Sequence, residues 1–181
     1  MKWLVASDIH GSAYYCRKLL EAFDREGADN LLLLGDILYH GPRNPLPREY
    51  DPPQVAQLLN ARKDSILCVR GNCDSEVDQI VLDFPIGADT CVICFENKTV
   101  YATHGHLFSP DAPLKMKKGD IMLFGHIHVP VFEEKDGFIF VNPGSVSIPK
   151  QESDHGYLTL TADTISFKTL DGQCFKTCPL Q

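Results

Sequence analysis

The chain has 181 residues and a formal charge of −7, enough length for one domain over residues 1–181 that buries roughly 70% of the surface its unfolded form would expose. The acidic balance excludes broad electrostatic binding to nucleic acid or anionic lipid, which depends on neutralising phosphates with Lys and Arg. Only residues 3–6 are apolar before Asp8, short of a signal-peptide core of about 7 to 15 residues, and no later run approaches a membrane span of about 20, so the expected setting is the cytoplasm with no membrane partner.

In chain order, residues 2–7 form a short apolar run ending in Asp8-Ile9-His10-Gly11, and a helical pattern follows over residues 12–26 with Gly27 as its stop. Residues 31–34 read as a second buried strand ending in Gly35-Asp36. Residues 65–69 read as a third, ending in Gly71-Asn72. Between those two lie a proline-rich loop over residues 40–53 and apolar residues at helical spacing over 53–61. This β-α-β-α-β opening puts polar residues at the carboxyl ends of strands, where open α/β sheets place their sites.

The second half is richer in strands. Residues 91–96 and 99–103 flank Asn97-Lys98, and residues 131–135 and 138–142 flank Asp136-Gly137, a hairpin signal. Further strands are expected over residues 121–124, 157–161 and 165–170, giving two packed sheets with helices outside. The seven cysteines read as free thiols of a reducing compartment. Cys91-x-x-Cys94 and Cys174-x-x-x-Cys178 raise a zinc site, but a strand over 91–96 would turn residues three apart to opposite faces and make a poor clamp.

Five of the seven histidines fall in Asp8-x-His10, His104-x-His106 and Gly125-His126-x-His128. Chance would give about 0.3 His-x-His pairs in such a chain, against the two present here. With Asp36 and Asn72 they form an ordered series of hard and borderline ligands. Two divalent ions about 3.5 to 4 Å apart can bind a phosphate ester, hold a hydroxide and stabilise attacking and leaving oxygens. Asp8 and His10 offer a carboxylate and an imidazole from one strand end, Asp36 is the obvious bridge, and Asn72, His104, His126 and His128 complete two ligand sets. Ligands of this kind, without thiolate, favour Mn, Fe, Co, Ni or Zn over Ca or Mg.

These residues resemble the blocks D-x-H, G-D, G-N-x-[D/E], H-G-H and G-H-x-H of the calcineurin-like metallophosphoesterase superfamily. The segments at residues 6–12, 40–44, 70–79 and 142–150 are similar to those of its small bacterial YfcE-type phosphodiesterases. The resemblance implies a four-layer αββα sandwich, an α/β fold of two mixed β-sheets flanked by helices. It also implies one metal on Asp8, His10, Asp36 and His128 and another on Asp36, Asn72, His104 and His126, with manganese as the activating ion. The implied reaction is hydrolysis of a small phosphodiester by a metal-bound hydroxide.

One position departs from the superfamily pattern. Where many members carry a histidine after the Gly-Asn pair, this chain has Cys73, either a proton donor that suits diesters or a thiol that simply packs beside Asn72. His106 reads as a residue that reaches substrate or serves as acid, or as a support behind the ligands. Asp74 reads as an orienting group around Asn72, placed with Cys73 and His106 in the catalytic set. His40 and Arg43, on the loop after Asp36, are candidate phosphate contacts. The competing readings are a phosphomonoesterase or protein phosphatase and, from another class, a protein-binding scaffold on the same fold. A homo-oligomer is an open expectation.

Overall fold

A computed structural model describes residues 1–95 and 98–180. Strand β1 (Trp3–Ala6), helix α1 (Ala13–Glu26), strand β2 (Asn30–Leu33), helix α2 (Pro52–Asn60) and strand β3 (Ile66–Cys68) follow in order, and β1, β2 and β3 lie parallel. Local chemistry sets both helix starts. The Ser12 side chain accepts from the Tyr15 N–H, and the Asp51 side chain accepts from the Gln54 N–H just ahead of the Pro52-Pro53 pair. Cys16, Leu19, Leu20 and Phe23 recur at helical spacing and form the buried stripe of α1.

The second half supplies β4 (Thr90–Phe95), β5 (Lys98–Thr103), β6 (Ile121–Leu123), β7 (Pro130–Lys135), β8 (Phe138–Pro143), β9 (Gly156–Leu160), β10 (Thr164–Thr169) and β11 (Cys174–Pro179). One mixed sheet has the order β11-β10-β9-β1-β2-β3 and the other β4-β5-β6-β8-β7. The expected Asp136-Gly137 turn is present, with both residues at positive φ as a two-residue hairpin requires. The turn expected at Asn97-Lys98 includes a residue outside the described ones.

Strand β1 is apolar throughout because both its faces are covered. Leu4 and Ala6 pack with Leu19 and Phe23 of α1 and with Val55 and Leu59 of α2. Val5, with Leu32 and Leu34, packs against Val100, Ile121, Leu123 and Val141 of the other sheet. The two mixed sheets and the helical layer match the expected fold. On the outer face of the second sheet, however, Met122, Phe124 and Phe140 are covered by Leu114 and Met116 from a loop, with no helix there among the described residues. Strand β11 was also not foreseen. Only Cys178 of its six residues is buried, so it lacks the alternation that marks a strand. Among the described residues no helix is long and apolar enough to cross a membrane.

Candidate metal centre

Five strands deliver their carboxyl ends to one edge of the sandwich. Asp8 and His10 follow β1, Asp36 follows β2, and Asn72, Cys73 and Asp74 follow β3; from the second sheet, His104 follows β5, and His126 and His128 follow β6. The parallel ladder runs on past the strands, with Asp8 N–H donating to Gly35 O (3.1 Å), His10 N–H to Asp36 O (2.9 Å) and Gly11 N–H to Ile37 O (2.8 Å). Nine described non-glycine residues have positive φ, and five of them are Asp8, His10, Asp36, His126 and His128. Left-handed backbone costs energy at such residues. Its concentration at the expected ligands marks this edge as the place where conformation is held for chemistry.

Two glycines let these loops meet. A Cβ on Gly71 would collide with the backbone nitrogen and Oδ1 of Asp36, and one on Gly125 would collide with Ser7 Oγ and stand 3.0 Å from Asp8 Oδ2. Asp74 then fixes the junction. Its Oδ2 accepts from the N–H groups of Asp36 (2.8 Å) and Gly71 (2.7 Å), and its Oδ1 from that of Ile37 (2.8 Å). Expected among the catalytic residues and around Asn72, Asp74 is instead a positioning residue for Asp36, because it is buried with both oxygens engaged by backbone.

Three imidazoles are oriented in one way. Nδ1–H of His10 donates to Tyr39 O (2.8 Å), that of His104 to Leu34 O (2.7 Å) and that of His128 to Ile148 O (2.6 Å). A carbonyl only accepts, so each Nδ1 carries a proton and each ring turns its Nε2 to the centre, the atom that a neutral imidazole offers to a metal. His10 Nε2 and His128 Nε2 stand 3.2 Å apart. Asp8 Oδ1, at 3.2 Å from His128 Nε2 and 3.4 Å from His10 Nε2, is fully buried and has no hydrogen-bond partner. His104 Nε2 faces Asn72 Oδ1 (3.0 Å) and Asp36 Oδ2 (3.4 Å). Converging lone pairs and an orphan carboxylate oxygen call for a cation between them. The donor set fits a metal.

The buried carboxylates favour positive charge on the facing Nε2 atoms, where a proton and a metal ion compete for the same place. Burial pushes Asp8 upward, but His10 and His128 outweigh it and hold the carboxyl well below its usual range. Burial likewise opposes the charged form of His104, yet Asp36 and Asp8 raise it to about 9. The Cys73 thiol is pushed up to about 12, first by burial and then by Asp36. Burial lowers His106 and His126, helped by neighbouring His104.

Donor atoms of Asp8, His10 and His128, of Asp8, Asp36 and His104, and of His10, Asp36 and Cys73 lie within 4.8 Å of one another in each group. His126 supplies none of those atoms. Its ring stands 5.1 Å from that of His104 and lines the mouth of a cavity of about 490 Å³ with Asp36, Asn72, Cys73, His128 and Arg43. His106 stands beside His104 with its Nδ1 buried and unpartnered. His40 does not line this cavity, because its ring packs edge-on between Tyr39 and Tyr50. A larger groove of about 580 Å³ behind Tyr39 is lined mainly by apolar side chains such as Leu38, Ala56 and Val81 and brings no ligand cluster together.

Sequence reasoning gave no role to the segment at residues 142–150. Its Ser145 and Ser147 hydroxyls both donate to Asp8 O (2.9 and 3.1 Å), Asn142 Nδ2 donates to Gly125 O (2.7 Å), and Lys150 lines the cavity. Buried Asn and Ser around a Pro-Gly turn were the available signal, but turn chemistry alone does not name the carbonyls such residues serve.

The family model described as the calcineurin-like phosphoesterase superfamily domain matches residues 1–165. The chain belongs to the calcineurin-like phosphoesterase superfamily. Among curated proteins of this superfamily it is 45% identical to the phosphodiesterase YfcE of Escherichia coli K12 over 173 residues, 96% of this chain and 94% of that one. The solved structure of the Escherichia coli YfcE phosphoesterase aligns over the whole of both chains with a TM-score of 0.97 and 42% identity. A Vps29 from Entamoeba histolytica, solved with zinc, aligns over the whole of both chains with a TM-score of 0.62 and 19% identity, which shows the shared fold alone. As a calcineurin-like phosphoesterase the chain is a hydrolase of phosphate esters.

Proposed function

We propose that this enzyme is a phosphodiesterase that works with two divalent metal ions, manganese in the first place, with iron, cobalt, nickel or zinc as chemically acceptable substitutes. The supporting observation is the facing pair His10 Nε2 and His128 Nε2, 3.2 Å apart beside the orphan Asp8 Oδ1. Asp8, His10, Asp36 and His128 would hold one ion, and Asp36, Asn72, His104 and His126 the other. When bound, such ions activate water as a nucleophile and neutralise the oxygens of the ester.

The chain's own residues do the rest. The backbone carbonyls of Tyr39, Leu34 and Ile148 fix three imidazoles by their Nδ1–H groups, which sharpens metal affinity as outer partners do. Arg43 lines the mouth, where its planar fork suits phosphate oxygens. Cys73, with its thiol pushed to about 12, stays protonated and uncharged at neutral pH, so it adds no cation to favour a doubly charged monoester. His106, with its ring 5.4 Å from that of His104, is the candidate for protonating the leaving group. The reading takes residues 1–181 as one domain that acts on a small diester in the cytoplasm.

Hydrolysis of a bis-aryl phosphate and its mono-aryl counterpart by chelator-stripped protein, with and without manganese, tests the proposal. Turnover of the diester that needs metal and exceeds that of the monoester is expected. Faster monoester turnover would point to a phosphomonoesterase, and no turnover of either with metal bound would point to a binding module.

A further inference from the structure

The cavity over the centre carries two cations that the metal blocks do not contain. Arg43 reaches it from the loop after β2 and Lys150 from the segment after β8. Neither has a carboxylate within ion-pair distance among the described residues, whereas Arg17, Arg62, Lys63 and Lys135 each pair with one. In a chain of net charge −7, Asp36 is the only acidic side chain among the described residues that line this cavity.

The backbone that presents Lys150 is fixed. Its N–H donates to His128 O (3.0 Å), and its carbonyl accepts from the Ser153 N–H (3.1 Å) and hydroxyl (2.6 Å). On the other side, Asn44 Nδ2 donates to His40 O (2.9 Å) and its N–H to Gly41 O, closing the turn that carries Arg43. Both side chains are exposed at the mouth, while Asp8, His10, Asp36 and His128 are buried at the floor.

Charge decides what these two cations face. Two divalent ions against Asp8, Asp36 and a hydroxide nucleophile leave the floor at about +1, which the single negative charge of a diester cancels. Arg43 and Lys150 then remain as about +2 at the rim, the complement of a phosphomonoester dianion. The cavity of about 490 Å³ is of the size that holds whole small ligands and exceeds what one phosphate group fills. Resting on the phosphodiesterase reading above, we infer that the preferred substrate is a phosphodiester carrying a second, terminal phosphate, and that Lys150 with Arg43 binds that phosphate while the floor takes the scissile one.

The test compares the nitrophenyl phosphodiester of thymidine with the same compound phosphorylated on its other hydroxyl. Metal-loaded wild type should prefer the phosphorylated diester by about tenfold in kcat/KM, chiefly through KM, as a charge-assisted contact would give. Lys150→Glu should bring the preference to about one or below, and Lys150→Arg should retain it. Equal use of both diesters by wild type would overturn the inference. So would a Lys150→Glu variant that loses turnover of both diesters and of mono-aryl phosphate by one common factor, since Lys150 would then serve the scissile group.

A binding readout keeps the inference separate from the catalytic reading. By calorimetry, manganese-loaded protein should bind thymidine bisphosphate more tightly than thymidine monophosphate, and Lys150→Glu should erase the difference. If no diester were hydrolysed at all, the phosphodiesterase reading would fail. Equal binding of the two nucleotides would then overturn the inference as well.

Discussion

Asp74 governs the centre without facing it. Three backbone N–H groups end on its two oxygens, and two of them belong to Asp36 and Ile37. An amide at this position has one acceptor and one donor, so Asp74→Asn would set an NH₂ against a backbone N–H and turn the Asp36 loop. Manganese affinity should fall by about 10- to 100-fold, as for other outer supports of metal ligands. A calorimetric metal titration checks this, and an unchanged affinity would show that the Asp36 loop holds itself. The candidate ligands were legible in the sequence as residue types because Asp, His and Asn recur beside strand ends. The role of Asp74 was not, since its partners are backbone groups 37 and 38 residues away as well as its near neighbour Gly71. Lys150 was hidden for a similar reason: one lysine after a turn looks like any solvated lysine until the fold brings it beside His128.

Between elements, the centre depends on loops that approach more closely than side chains would permit. Gly71→Ala would drive a methyl into Asp36, and overpacking of this kind costs about 1 to 3 kcal/mol. A fall in Tm is expected for Gly71→Ala and not for Gly87→Ala, where an added methyl meets nothing within 4 Å. Equal melting of the two variants would count against a tight junction between the loops after β2 and β3. The alternating first half was readable because each strand is a short apolar run closed by a candidate ligand, and each helix has a polar cap and an apolar stripe. The edge strand β11 was not, because five of its six residues are exposed and its place is set by pairing with β10 rather than by its own pattern.

Across the whole molecule, one acidic side chain ties the helical layer to the six-stranded sheet. Glu26, at the end of α1, accepts from Lys2 Nζ (2.7 Å), from Lys168 Nζ of β10 (2.8 and 2.9 Å) and from the Tyr157 hydroxyl of β9 (2.8 Å). Burial alone would raise its pKa, but Lys168, Lys2 and Tyr157 together lower it to about 2. A depressed carboxyl contributes stability that is full above its ordinary value and lost as pH falls toward the folded one. The lysines reach solvent, with 32% and 20% of their side chains exposed, so screening cuts the contribution to about 1 to 2 kcal/mol. The stability difference between wild type and Glu26→Gln, followed by denaturant unfolding, should therefore shrink between about pH 6 and about pH 3. A constant difference would mean that Glu26 contributes by packing and not by charge. No part of this network was legible in the sequence, where its members stand up to 142 positions apart.

The measurement that bears most directly on the central claim is a manganese titration of chelator-stripped protein during turnover of a bis-aryl phosphate. Two ligand sets sharing Asp36 require activity to rise from none and level off at about two equivalents of metal per chain. A plateau at one equivalent, or turnover that persists without metal, would contradict a two-metal phosphodiesterase.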